Sequence, residues 1–305
     1  MADCLPDDIV LLERGWLSSN NILFLNDTSG VLVDTGYVSH AAQTAALVKR
    51  ALAHRTLEKI INTHLHSDHC GGNAELQRQW SKVQTWIPPG LAQAVDPWDE
   101  SKLSYEPTGQ TCPSFRADAL LTPGQRVQAA QRSLEVHAAP GHDPHAVLLF
   151  DPDLRLLISA DALWENGFGV VFPELEGQPA FREVQDTLDL IESLEARVVI
   201  PGHGPAFTDV ASALNRARSR LAKYQQDPVF HARYASKVLL KFRLLETQTE
   251  TLESLQRWTE QTPYFQVLHD RFFKRTTSAQ WFSDLVDELK RAGALEVRGT
   301  TVVNR

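Results

Sequence analysis

The chain has 305 residues, 43% of them apolar and 22% charged, a globular balance that excludes wholesale disorder and fits one large domain or two unequal ones. No run of 18 apolar residues occurs, so no membrane span is expected, and the acidic start from Met1 to Asp8 does not read as a secretory signal. The net charge of −8 divides into −11 over residues 1–228 and +3 over residues 229–305, and an acidic body of that kind repels polyanions and lowers the prospect of a nucleic-acid substrate.

In chain order, Ile22–Leu25 and Val31–Val33 read as paired strands joined by a turn at Asn26-Asp27-Thr28-Ser29-Gly30. Apolar residues at helical spacing (Ala41, Ala45, Leu47, Val48, Leu52) predict a helix over His40–His54. Glu58–Asn62 reads as a strand that runs into Thr63-His64-Leu65-His66. Gly71 and Gly72 allow a tight turn, Asn73 is placed to cap a helix through Trp80, and Val83–Ile87 is the next strand. Residues 88–124 hold Pro88, Pro89, Pro97, Pro107, Pro113 and Pro123 and read as a long surface excursion.

Strands are expected again at Ser133–His137, His145–Phe150 and Leu154–Ser159, followed by a helix at Ala180–Leu194, a strand at Arg197–Ile200 and a helix at Thr208–Gln226. This order predicts a layered α/β body with sheets inside and helices outside. Beyond it, helical segments at Lys237–Glu246, Thr251–Gln261 and Ala279–Arg291 precede a small hairpin at Leu295–Val297 and Thr301–Val303, the outline of a winged helix. The expected division is therefore a catalytic domain over 1–228 and a winged-helix-like domain over 229–305. Cys4, Cys70 and Cys112 are odd in number and far apart in sequence, which argues against a disulfide scaffold and for a reducing cytoplasm.

The decisive segment is Thr63-His64-Leu65-His66-Ser67-Asp68-His69-Cys70-Gly71-Gly72, with four potential ligands inside six residues. On an extended chain His64 and His66 project to the same side, and after the turn Asp68 and His69 face a second point nearby. Imidazole and carboxylate suit zinc, manganese or iron, and two clusters in one loop suit two ions about 3.5–4 Å apart. Three more sites stand at predicted strand ends: Pro140-Gly141-His142, Ser159-Ala160-Asp161 and Pro201-Gly202-His203-Gly204.

With these motifs, about residues 8–210 resemble the metallo-β-lactamase superfamily. The resemblance implies a four-layer αβ/βα sandwich. It also implies a first metal held by His64, His66 and His142 and a second by Asp68, His69 and His203. Asp161 would bridge the two, with a hydroxide between them, and Asp34 in Val33-Asp34-Thr35-Gly36 would orient a ligand imidazole. Aspartate at 161, where the commonest dizinc β-lactamases place cysteine, sets the chain nearer the glyoxalase II, lactonase and nuclease branches. The usual Thr-x-Gly after the third histidine is replaced by Asp143-Pro144-His145, and His145 is read as donating to substrate or holding a ligand in place. The tail resembles that of the β-lactamase-like protein 2 group, some of which are endoribonucleases. It lacks the basic glutathione-binding pattern of glyoxalase II.

The reading that follows is a dinuclear metal-dependent hydrolase, with two divalent ions, zinc first and iron or manganese as alternatives, cleaving an ester, thioester or lactone through a metal-bridging hydroxide. Asp68, Asp161 and His145 are the expected catalytic side chains. The alternatives are a metal-dependent endoribonuclease on single-stranded RNA and a metal-binding regulatory protein with a DNA- or partner-binding tail. A small-molecule substrate is favoured over nucleic acid, no membrane is expected, and the C-terminal domain is a candidate homodimer contact. Cys70 reads as a buried packing thiol, and Trp164, Phe168 and Phe172 as either a substrate wall or core.

Overall fold

The computed structural model describes residues 5–305; Cys4 and the first residues of the acidic start lie outside them. The chain forms two compact units. One runs to Leu103 and resumes over Thr111–Ala222; the other joins Ser104–Gln110 to Lys223–Arg305.

The first unit is built on two sheets. The N-terminal sheet takes β1 (Ile9–Leu12), β2 (Asn21–Leu25), β3 (Ser29–Val33), β4 (Thr56–Ile61), β5 (Gln84–Ile87) and β6 (Ala119–Leu120) in sequence order. Its first two pairings are antiparallel and the rest parallel. The second sheet orders β7 (Arg126–Ala129), β8 (Arg132–Ala138), β9 (Val147–Asp151), β10 (Leu156–Ala160) and β11 (Val198–Pro201), and only its β10–β11 pair is parallel.

Strand alternation sorts the apolar residues. Ile22, Phe24, Val31, Val33 and Ile61 of the N-terminal sheet meet Val127, Leu134, Val136, Val147, Leu149, Ile158 and Ile200 of the second in one core. Leu23, Leu25, Leu32, Leu57 and Ile60 point the other way, under α1 (Ala41–Leu52), whose Ala45, Val48 and Leu52 close a second core. Both faces of the central strands are thus buried, which is why the sequence shows near-continuous apolar runs there. On the far side α7 (Phe181–Ser193) turns Val184, Thr187, Leu188 and Ile191 inward, and α8 (Val210–Gln226) follows β11. The four-layer α/β arrangement expected from the sequence is present, with helical elements following it through Arg291.

Several details differ from the sequence reading. β1 and β7 were not foreseen; each is four residues long, too short for its period to be distinctive. Asn73 does not cap: it is the first residue of α3 (Asn73–Gln79), behind α2 (Ser67–Cys70), and its side chain instead joins Thr35 Oγ1 (2.8 Å) and Asn62 Oδ1 (2.7 Å). The 88–124 excursion is not simply surface. It contains α4 (Ala92–Val95), α5 (Tyr105–Thr108) and β6, and buries Leu103, Tyr105, Cys112 and Phe115. Its prolines break long elements, but these apolar anchors fix the segment. Cys70 and Cys112, distant in sequence, are both buried with their Sγ atoms 3.8 Å apart, well beyond the disulfide length of about 2.05 Å.

In the C-terminal unit α9 (Pro228–Thr247) starts nine residues before the expected point. Its first turns bury the small residues Ala232, Ala235 and Ser236, which give little hydrophobic periodicity. Asp227 caps it through the Phe230 amide. β12 (Thr249–Thr251), α10 (Leu252–Gln261), α11 (Pro263–Leu268), a π-helical turn at His269–Phe273 and α12 (Ser278–Arg291) follow. β13 (Leu295–Arg298) and β14 (Thr301–Asn304) form the expected hairpin, and β12 adds a third strand to it. Arg233 and Lys237 of α9 both pair with Glu288 of α12, at 2.7 and 3.0 Å. No helix among the described residues is long and apolar enough to cross a membrane.

Candidate metal centre

The seven side chains singled out as ligands come from loops that leave β4, β8, β10 and β11, and the fold draws them to one place. Their donor atoms form three overlapping groups, each within 4.8 Å: His64, His66 and His142; His64, His69 and Asp161; Asp68, His69 and His203. His66 Nδ1 lies 3.1 Å from His64 Nε2 and 2.9 Å from His142 Nε2. Asp68 Oδ2 lies 3.1 Å from His203 Nε2 and 3.9 Å from His69 Nε2. Asp161 stands between the two sets. Its Oδ2 is 3.4 Å from His142 Nε2, while its Oδ1 is 3.5 Å from His69 Nε2 and 3.8 Å from His203 Nε2.

Hydrogen bonds behind the ligands fix which ring nitrogens face inward. His142 Nδ1 lies 2.6 Å from the Val170 carbonyl, which can only accept, so Nδ1 carries the proton and Nε2 presents a lone pair to the centre. His69 Nδ1 donates to Asp34 Oδ2 at 2.8 Å, leaving a buried Nε2 with no hydrogen bond. Asp34 also accepts from the Thr63 amide (2.9 Å) and hydroxyl (2.8 Å), so one carboxylate holds both the His69 ring and the start of the His64 loop. It does so from a left-handed backbone, φ +55°. A buried His69 Nε2 with no hydrogen-bond partner, among clustered imidazoles and two carboxylates, fits the donor set of a cation site.

Backbone ties lock the loops further. The Thr35 amide donates to the His69 carbonyl (2.7 Å), Ser19 to Asp68 (2.9 Å), Asn20 to Gly202 (2.7 Å), and Val147 of the second sheet to Thr63 (2.9 Å). A bulge in β10 between Ile158 and Ala160, with Ala160 at φ +45°, turns Asp161 out of the strand and toward the histidines. Two glycines permit close approach. A Cβ on Gly169 would lie 2.4 Å from His142 Nδ1, and one on Gly202 would lie 2.2 Å from Asp161 Oδ1.

The electrostatics match. Burial holds His66 and His142 at about 4 and His64 well below its ordinary value, so all three imidazoles are neutral near pH 7, the form that binds metal. Burial opposes ionisation of Asp161, yet His203 and His69 outweigh it and hold its pKa well below the usual carboxylate range. Burial likewise works against a charged His69, but Asp161, Asp34 and Asp68 raise its pKa well above normal. The same negative field favours a cation in the centre.

His145 stands apart. It belongs to none of the three ligand groups, is exposed, and packs so tightly on Gly90 that a Cβ there would meet its ring. Asp143 is the nearer member of that loop. Buried, and raised in pKa by that burial, it takes the His145 amide at 2.7 Å and sets Oδ2 3.8 Å from His66 Nε2, on the side of the ring away from the other ligands. Cys70 directs its sulfur toward the Leu65 and His66 carbonyls (3.6 and 3.3 Å), a packing role. Of the aromatic run, Phe168 is core at 1% exposure, whereas Trp164 and Phe172 touch ligand rings. Trp16, which the sequence reading passed over, stacks on His203.

The role of Asp34 is testable. Asp34→Ala removes the partner of His69 Nδ1 and of Thr63, and is expected to weaken metal binding about 10–100-fold. Competitive titration against a chromogenic chelator measures this, and an unchanged affinity would show that the contact does not matter.

A family model described as the metallo-beta-lactamase superfamily matches residues 14–203. The hydroxyacylglutathione hydrolase of a Synechococcus species is 32% identical over 145 residues, 46% of this chain and 47% of that protein. That of a Nostoc species is 31% identical over 183 residues, 58% of this chain and 61% of that protein. The chain thus spans about half to three-fifths of the length of these curated relatives. The probable metallo-hydrolase YqgX of Bacillus subtilis is 28% identical over 205 residues, covering 64% and 89%. A solved metallo-beta-lactamase family protein from Thermus thermophilus shares the fold over 98% of this chain and 99% of its own, with a TM-score of 0.60 at 18% identity.

Proposed function

The chain belongs to the metallo-β-lactamase superfamily and is a metal-dependent hydrolase, and on that premise we propose a dinuclear enzyme that cleaves an acyl ester, thioester or lactone, with thioesters first. The observation that carries this reading is the convergence of five imidazoles and two carboxylates into overlapping donor groups with Asp161 between them. Thioesters come first because two of the three curated relatives named above are hydroxyacylglutathione hydrolases. Their glutathione specificity is not carried over, since the alignments leave much of those proteins unmatched.

In this reading His64, His66 and His142 would hold one divalent ion and Asp68, His69 and His203 the other, with Asp161 a ligand shared by the two sets. The chemistry that such a pair supplies when bound is Lewis acidity toward the carbonyl oxygen and a lowered pKa for water. Zinc is the first choice, and an imidazole–carboxylate set also suits iron or manganese. The protein's own groups do the rest. Asp68, the more exposed of the two ligand carboxylates at 14% against 6%, accepts the proton lost by the attacking water and returns it to the leaving oxygen or sulfur. Asp34 keeps His69 in its tautomer, and the Val170 carbonyl does the same for His142. We read the C-terminal unit, three main helices and a hairpin, as winged-helix-like. The RNA-cleaving alternative draws only on that outline, and the acidic body opposes it.

Metal analysis of the purified protein is expected to find two divalent equivalents per chain. Extensive chelation should lower thioester hydrolysis by at least about a hundredfold, with recovery on re-addition of zinc, iron or manganese. Full turnover by demetallated protein would refute the proposal. Salt-sensitive cleavage of an RNA oligomer without any acyl hydrolysis would favour the alternative.

A further inference from the structure

Trp16 lies in the connection between β1 and β2 and leaves 56% of its surface exposed. This connection is anchored. The Arg14 guanidinium bonds Asn21 (2.7 Å) and Thr44 (2.8 Å), and the Gly15 carbonyl takes the Ser18 amide (3.1 Å). One face of the indole is stacked on the His203 ring, 5.4 Å between centroids and 10° between planes, and its edge meets Trp164 at 5.3 Å and 72°.

Trp164 is fixed as firmly. Its amide bonds the Gly167 carbonyl (2.6 Å) across a tight turn, its ring stands edge-on to His203 (5.6 Å), and its indole N–H donates to Asp161 Oδ1 (3.1 Å). Phe172 stands edge-on to His66 at 5.5 Å. Two indoles therefore flank the Asp68–His203 side of the centre. The outer one, a ring of about 150–250 Å² when fully covered, keeps most of its area toward solvent. An indole anchored on the His203 ring with 56% of its surface open offers that free area to whatever group approaches this side of the donor set.

Resting on the acyl-hydrolase reading above, we propose that Trp16 and Trp164 form the recognition surface for the group attached to the scissile carbonyl. They select a flat apolar group, an aryl or arylalkyl acyl chain, over a short polar one. An aromatic ring of the substrate lies against the open part of Trp16 while its carbonyl reaches the space between Asp68 and Asp161. Trp164 serves both sides of this arrangement: its ring backs the wall, and its N–H holds the oxygen of Asp161 that faces His69 and His203.

The test compares phenylacetyl and acetyl thioesters of one thiol in the wild type, Trp16→Ala and Trp16→Phe, with metal content and melting temperature checked for each. The wild type should prefer phenylacetyl in kcat/KM. Trp16→Ala should cut that preference about tenfold, mainly through KM, and Trp16→Phe should keep most of it. Separately, phenylacetate should quench tryptophan fluorescence saturably in the wild type and much less in Trp16→Ala. An unchanged preference in a fully metallated Trp16→Ala, or a wild type that favours acetyl, would overturn the proposal. A wild type that hydrolyses neither thioester would count against the acyl-hydrolase reading, while the phenylacetate titration would still decide the role of the tryptophans.

Discussion

Asp161→Ala should take the bound metal from two equivalents to one or fewer and lower hydrolysis by about a thousandfold, the equivalent of roughly 4 kcal/mol of lost transition-state stabilisation. The expectation follows from its position. Among the described residues no other carboxylate turns one oxygen to His142 (3.4 Å) and the other to His69 (3.5 Å). In the proposed dinuclear centre its removal would leave Asp68 as the one acidic ligand for two dications and open the space between the two donor sets. Asp161→Asn is the sharper variant. It keeps the size of the side chain and an oxygen for the Trp164 N–H, yet discards the charge, and should fail almost as badly. Metal stoichiometry by elemental analysis, measured beside kcat/KM, checks both. Two equivalents and near-normal turnover in either variant would remove the centre from the mechanism.

Gly202→Ala should be nearly as damaging, although it adds one methyl group and removes no ligand. The new Cβ would lie 2.2 Å from Asp161 Oδ1 and 2.9 Å from His69 Cε1. The backbone cannot retreat easily, because the Gly202 amide is bound to the Ala160 carbonyl and its own carbonyl to the Asn20 amide, both at 2.7 Å. The strain therefore falls on Asp161 and His69. Overpacking of this kind costs about 1–3 kcal/mol of stability, and a ligand displaced by about 1 Å costs about a hundredfold in rate. The expected result is a folded protein with a modestly lower melting temperature, depleted metal and at least that loss of activity. Retention of two equivalents and full activity would show that the loop can move without cost.

The proposed ligand set could be named from the sequence because much of the candidate centre is local. Four of the seven sit in one six-residue stretch, and His142, Asp161 and His203 each follow a strand-like run. The α/β layering was legible too, since strands buried on both faces leave continuous apolar runs such as Ile22–Leu25. Long-range contact was what stayed hidden. Trp16 is far from His203 along the chain, and their stacking depends on the folded approach of the β1–β2 connection to the β11 loop, where the Asn20 amide meets the Gly202 carbonyl. The approach of Asp143 to His66 (3.8 Å) was also hidden, because that distance is a property of the folded loop. Proline spacing suggested an exposed excursion over 88–124, where scattered anchors such as Leu103 and Phe115 in fact bury part of it.

The division of the donors between the sheets bears on how the protein is made. His64, His66, Asp68 and His69 emerge from the N-terminal sheet, whereas His142, Asp161 and His203 belong to the second. During synthesis the first four are complete long before the last three leave the ribosome, so a nascent chain offers only a partial grip on any ion. Such non-local pairing makes assembly slow and late. For the proposed centre, metal acquisition would then be a closing event, stapling two halves that share one apolar interior.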